Sequence, residues 1–145
     1  MIYVDADACP VKAEILKVAE RHAQKVTFVA NSGLRPSRDP MVFNVIVSAG
    51  FDAADDWIAE RAGAGDIVVT ADVPLAGRCV AAGAFVCGPT GRLFDQTNIG
   101  MATAMRNLNQ HLRETGESKG YNAAFSLKDR SRFLETMELL CRRLK

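Results

Sequence analysis

The sequence predicts an α/β domain of three layers, built on a mainly parallel sheet of about five strands, with two further helices at the C-terminal end. Three observations carry this reading. Short apolar runs alternate with stretches of helical periodicity from residue 2 to residue 87. The runs are continuously apolar, as in strands buried on both faces. The segments between them suit helical crossovers, which join parallel neighbours with a right-handed sense. With 145 residues, 48% of them hydrophobic, the chain supplies one sizeable core. Residues 1–145 are therefore expected to form a single domain, with 98–145 as a helical segment packed on it.

In order along the chain, Ile2 to Val4 is an apolar run that stops at Asp5-Ala6-Asp7, so the first strand ends in carboxylates. A helix starts near Pro10, whose missing N–H is harmless in a first turn, and Val11, Ile15, Leu16, Val18 and Ala19 give it an apolar face. Val26 to Ala30 is the second strand. Residues 31–40 hold two prolines, a glycine and two arginines, which makes a surface loop. Val45 to Val47 marks the third strand, Ala53 to Ala62 a helix with Trp57 and Ile58 inward, and Gly63-Ala64-Gly65 its end. Asp66 to Thr70 is the fourth strand, Val73 to Ala82 a helix with Pro74 in its first turn, and Ala84 to Cys87 the fifth strand. Beyond Gly88-Pro89-Thr90-Gly91 the periodicity is helical from Asn98 to Arg113 and again after Ser126, where Ser126 and Asp129 resemble a capping box.

Composition narrows the setting. No apolar run approaches the roughly 20 residues of a membrane helix, and Met1 leads directly into the first strand without a signal-like opening. Cys9, Cys79, Cys87 and Cys141 show no CxxC spacing, which argues against a zinc ribbon or a disulfide framework. These features point to a cytoplasmic protein that is neither secreted nor membrane-spanning. The net charge of +1 hides a split: residues 1–97 hold 9 Lys+Arg against 12 Asp+Glu, whereas residues 98–145 hold 9 against 5. An acidic body with a basic C-terminal segment permits a metal site beside a phosphate-binding surface.

In an open parallel sheet, sites form outside the carboxyl ends of the strands. Asp5 and Asp7 fall there after the first strand, Asp72 after the fourth, and Asp52, Asp55 and Asp56 after the third. Carboxylates gathered on one rim repel one another unless a cation neutralises them, and hard oxygen donors suit Mg²⁺ or Mn²⁺. Asp is also a good helix N-cap, and each of these residues precedes a predicted helix. For Asp52 or Asp55 alone capping is the better reading; Asp5 and Asp7, at i and i+2 directly after a buried strand, exceed what one cap needs. Asn31, Lys12 and Arg35 are candidates for phosphate contact, with a turn or a solvated surface as the alternative. Cys9 reads as a small packed residue, and His22 and His111 show no ligand spacing.

The opening Ile2-Tyr3-Val4-Asp5-Ala6-Asp7-Ala8-Cys9-Pro10-Val11-Lys12 resembles the signature opening of the YaiI/YqxD family of bacterial proteins. The resemblance continues through Val29-Ala30-Asn31, Gly50-Phe51-Asp52-Ala53-Ala54-Asp55, the stretch from Gly65 to Ala76, and Asp129-Arg130 with Phe133. It implies a PIN-like fold. PIN-like nucleases hold divalent metal with an Asp at the end of strand one, acids on the following helices and a Thr-x-Asp after strand four. Asp5 and Thr70-Ala71-Asp72 match that pattern; Asp7 is an addition of the family opening, and the middle acid falls loosely on Asp55 or Asp56. By this resemblance Asp5, Asp7 and Asp72 would be catalytic and the same three with Asp55 and Asp56 would bind Mg or Mn; the candidates already read from the residues, Asn31, Lys12 and Arg35, would then meet substrate together with Thr70. The implied reaction is phosphodiester hydrolysis, with RNA favoured over DNA. The alternatives are a non-catalytic RNA- or protein-binding module and, more weakly, a haloacid-dehalogenase-like phosphatase with Asp5 as nucleophile. The latter needs an acidic pair after the Thr strand, and Asp55-Asp56 comes before it.

Overall fold

A computed structural model describes residues 1–6, 9–31, 39–47, 53–100, 104–105 and 126–144. The chain runs through β1 (Ile2–Asp5), α1 (Lys12–Arg21), β2 (Val26–Ala30), β3 (Val42–Ile46), α2 (Ala53–Arg61), β4 (Ile67–Val69), α3 (Val73–Ala81), β5 (Phe85–Cys87), β6 (Leu93–Phe94) and, at the C-terminal end, α4 (Leu127–Arg143). The strands form one sheet in the order β3-β2-β1-β4-β5-β6. The first five are parallel, with Ile2 level with both Val26 and Ile67, and β6 is antiparallel to β5. After β1 the chain steps outward through β2 and β3, then crosses back to β4 on the other side. The reversal between β1 and β4 opens a crevice at their carboxyl ends, where such sheets place their sites.

Two cores flank the sheet and make the three layers. On one face Ile2, Val4, Ile67 and Val69 pack with Ile15 and Val18 of α1 and with Phe133, Met137 and Leu140 of α4. On the other face Val68 and Val86 pack with Ile58 of α2 and with Leu75, Ala76 and Cys79 of α3. Burying each large side chain contributes about 1.5–3 kcal/mol, so α4, with Phe133, Met137 and Leu140 fully buried, is an integral layer of the fold. Among the described residues no helix is long and apolar enough to cross a membrane.

The structure revises the sequence expectation in two places. A sixth strand, Leu93–Phe94, is added beyond β5; two residues are too few to show any periodicity, and the pairing is made by the turn at Gly88–Gly91. The third strand is Val42–Ile46, earlier than Val45 to Val47, and it lies at the sheet edge with Phe43 and Ile46 exposed. Of the two C-terminal helices, α4 is as expected, with the Ser126/Asp129 capping box formed in both directions. The helix expected over 98–113 lies mostly outside the described residues.

Candidate functional site at the carboxyl rim

Strand alternation decides which way the rim side chains face. Tyr3 packs with the α2/α3 core while Ile2 and Val4 pack with the α1/α4 core, so Asp5, two residues after Tyr3, belongs to the α2/α3 side. In the neighbouring strand Val68 faces that same side, and Thr70 follows it by two residues. The two side chains therefore meet. The Thr70 hydroxyl donates to Asp5 Oδ2 at 3.0 Å and accepts the Asp72 backbone N–H at 3.0 Å. One buried oxygen thus ties the ends of β1 and β4, holding the Asp5 carboxylate and the Asp72 amide no further apart than those two bonds combined. Asp72 turns the chain into α3 as its N-cap, its Oδ1 accepting from the Leu75 N–H at 3.1 Å, with Pro74 in the first turn.

The remaining candidates distribute unevenly. Lys12 opens α1 and is half-buried beside Asp5 and Cys9, and Asn31 is exposed just past the carboxyl end of β2, the strand next to β1. Asp56 is drawn into an exposed ion pair with Arg78 at 2.8 Å, and Arg78 lies six residues, about 9 Å, along α3 from Asp72. Asp55 is half-buried in the first turn of α2, near Cys79. The structure thus brings together Asp5, Thr70 and Asp72, keeps Lys12 and Asn31 on the same rim, and directs Asp56 elsewhere. Asp7 and Arg35, like Asp52 and His111, lie outside the described residues. Among the described residues no three His, Cys, Asp or Glu side chains gather as a metal-binding group.

The donors present nevertheless suit a hard divalent ion, because Mg²⁺ commonly takes only one or two carboxylates and leaves its other positions to water and phosphate. Asp5, with one oxygen fixed by Thr70, and Asp72, with one oxygen fixed by the α3 amide, supply oriented carboxylates of that type. Cys9 adds no soft ligand to this set. Burial pushes its thiol pKa up, with Asp5 and Glu14 adding to the shift and the Val11 backbone and Lys12 only partly opposing it.

Two features escaped the sequence. Arg130 of α4 reaches Glu14 of α1 at 2.6 Å and the Pro10 carbonyl at 3.5 Å, tying the start of α4 to the start of α1. The other Glu14 oxygen, Oε2, is buried and has no hydrogen-bond partner among the described residues. At the opposite rim His22 Nε2 meets Glu138 Oε2 at 2.8 Å, with Arg21 and Arg142 on the same carboxylate. Each pair joins residues more than a hundred positions apart, so no local pattern announces it. Arg130 was visible in the sequence only as part of a family motif.

Comparison with known proteins agrees along the whole chain. The family model described as "Uncharacterized BCR, YaiI/YqxD family" matches residues 3–143. A UPF0178 protein of Rhizobium etli is 83% identical over 145 residues, covering 100% of this chain and 94% of its own length. A UPF0178 protein of Rhizobium meliloti is 82% identical, covering 100% and 99%, and one of Parvibaculum lavamentivorans is 61% identical over 137 residues, covering 94% and 90%. No solved structure matches the chain.

Proposed function

The chain belongs to the YaiI/YqxD family, and from that premise we propose that it is a metal-dependent nuclease that hydrolyses phosphodiester bonds, in RNA before DNA, at the carboxyl rim of its sheet. The observation that carries the proposal is the Thr70 hydroxyl, which donates a hydrogen bond to Asp5 and accepts one from the Asp72 amide. A threonine needed only for packing would not fix a carboxylate of the neighbouring strand. Asp5, Asp72 and the adjoining Asp7 would hold Mg²⁺ or Mn²⁺. When bound, such an ion acts as a Lewis acid toward the phosphoryl oxygen and makes a coordinated water a better nucleophile at neutral pH. Thr70 keeps one Asp5 oxygen in place at the crevice. Lys12, Asn31 and Arg35 would contact the phosphate chain in this reading.

The non-catalytic RNA-binding module is the second reading, favoured by the capping bond of Asp72 and the engagement of Asp56 by Arg78. Asp5→Asn separates the two. The amide still accepts from Thr70, so the fold is kept while the charge is lost; a nuclease loses cleavage and a module keeps its binding unchanged.

A further inference from the structure

The carboxylates of the rim repel a phosphate chain, so a strand of RNA needs a cationic track close by. Hydrogen bonds and contacts lead to one. Thr70 donates its N–H to the Cys87 carbonyl at 3.1 Å, the next residue Gly88 donates to the Arg92 carbonyl at 2.8 Å, and Thr136 of α4 donates to the Gly91 carbonyl at 2.7 Å. Gly91, at φ +86°, lies so close to α4 that a Cβ there would come within 2.6–2.7 Å of the Arg132 backbone and its Cγ. The turn after β5 and the first half of α4 are thus pressed together. Arg132 lies on the α4 side of this turn and Arg92, the residue after Gly91, on the side of Phe94, both exposed beside the carboxyl end of β5. Lys128, also exposed, precedes Arg132 by four residues and shares its face of α4, one turn nearer the helix start.

The state of the other arginines sharpens this. Of the eight described, Arg21, Arg61, Arg78, Arg130 and Arg142 are held in ion pairs, whereas Arg92, Arg132 and Arg143 form none among the described residues. Two of these three lie at the carboxyl rim and Arg143 is at the far end of α4. Arg92 is braced over the Phe94 ring, 5.3 Å from its centroid, which orders its guanidinium without neutralising it.

We propose that Arg92, Arg132 and Lys128 form the phosphate-binding track of a single-stranded RNA that crosses the rim from the Asp5–Thr70 crevice toward α4. This rests on the nuclease reading for its substrate and adds the path. From β1 to the turn between β5 and β6 is two to three strand spacings, about 10–14 Å, the reach of about three to four stacked nucleotides. The phosphates held on the track would therefore flank the one at the crevice. A guanidinium pair suits this because each fork can engage two phosphate oxygens.

The test is binding of a short, end-labelled single-stranded RNA, followed by anisotropy in EDTA across a salt series, with cleavage assayed separately in Mg²⁺ or Mn²⁺. Arg92→Ala/Arg132→Ala is expected to weaken binding on the order of tenfold at low salt and to reduce the salt slope by about 1.4, near 0.7 for each lost phosphate contact. Lys128→Glu, which disturbs no packing, should weaken binding in the same direction. The control Lys17→Ala/Arg143→Ala removes the same charge elsewhere and should leave affinity within about twofold, since long-range charge alone is screened beyond roughly 10 Å at ordinary salt. Equal losses in the control and the double variant, unchanged binding in the track variants, or no binding by the wild type would overturn the track. Track-dependent binding without any cleavage would instead remove the nuclease reading and leave the track standing. Cleavage untouched by the track variants would do the reverse.

Discussion

Thr70 is the residue on which the rim turns. It is 1% exposed, and its hydroxyl serves one carboxylate and one backbone amide at once. Thr70→Val keeps the shape and removes both hydrogen bonds, so it should cost about 1–3 kcal/mol in denaturant unfolding. Thr70→Ser keeps the hydroxyl and should recover most of that loss. Asp72 has two separable duties in this account, capping α3 and contributing a carboxylate. Asn is as good an N-cap as Asp, so Asp72→Asn should leave the melting temperature nearly unchanged while lowering cleavage, whereas Asp72→Ala should also lose about 1 kcal/mol of stability. Wild-type cleavage by Asp72→Asn would reduce Asp72 to a cap.

At the scale of elements, α4 is the piece whose placement decides most. It is fixed at its start by the Arg130–Glu14 pair, in the middle by Thr136 on Gly91, and toward its end by Glu138 on His22. Gly91→Ala combines a left-handed φ with a collision against the α4 backbone, and should destabilise by at least about 2 kcal/mol, read as a lower urea midpoint. The far clamp gives a pH dependence. The His22 hydrogen bond, helped by Arg21 and Arg142, holds the Glu138 carboxyl below its usual pKa. A carboxyl depressed in the folded state stabilises above its unfolded pKa, and that stabilisation is lost as pH falls through the folded value. Glu138→Gln should therefore flatten the acid limb of the stability profile without changing its alkaline side. An unchanged acid limb would mean that the clamp adds nothing.

The elements most legible in the sequence were those that bury a continuous apolar run. Val26 to Ala30 was found at its true limits because all five residues are buried, and the β4–α3 junction because Asp72 and Pro74 mark it. β3 was misplaced by its edge position, since a half-exposed strand does not need an unbroken apolar run.

At the scale of the whole molecule, connectivity gathers the site. Each of α1, α2 and α3 follows the carboxyl end of a strand, and α4 runs alongside α1 with its start at Pro10 and its later turns at His22. These four helices thus present their N-termini, with partial positive charge, to the rim that carries Asp5 and Asp72. The convergence of α1, α2 and α3 was readable from the order of elements, which put Asp5 and Asp72 on one rim, whereas Thr70 was joined to them only by the family resemblance. The distances among them were not readable, nor was the departure of Asp56 toward Arg78, because both depend on how α2 and α3 pack. The juxtaposition of Arg92 with Arg132 was equally hidden, as it is made by a glycine turn and a helix forty positions apart in the chain.

The most direct test is cleavage of a single-stranded RNA, labelled at either end, by the wild type and Asp5→Asn in Mg²⁺ or Mn²⁺ and in EDTA, with both proteins shown to melt at the same temperature. Metal-dependent cleavage is expected of the wild type, abolished by EDTA and reduced on the order of a hundredfold or more in Asp5→Asn, as when a ligand of the ion that stabilises the transition-state charge is lost. Equal cleavage by the two proteins, or none by the wild type with either metal, would contradict it.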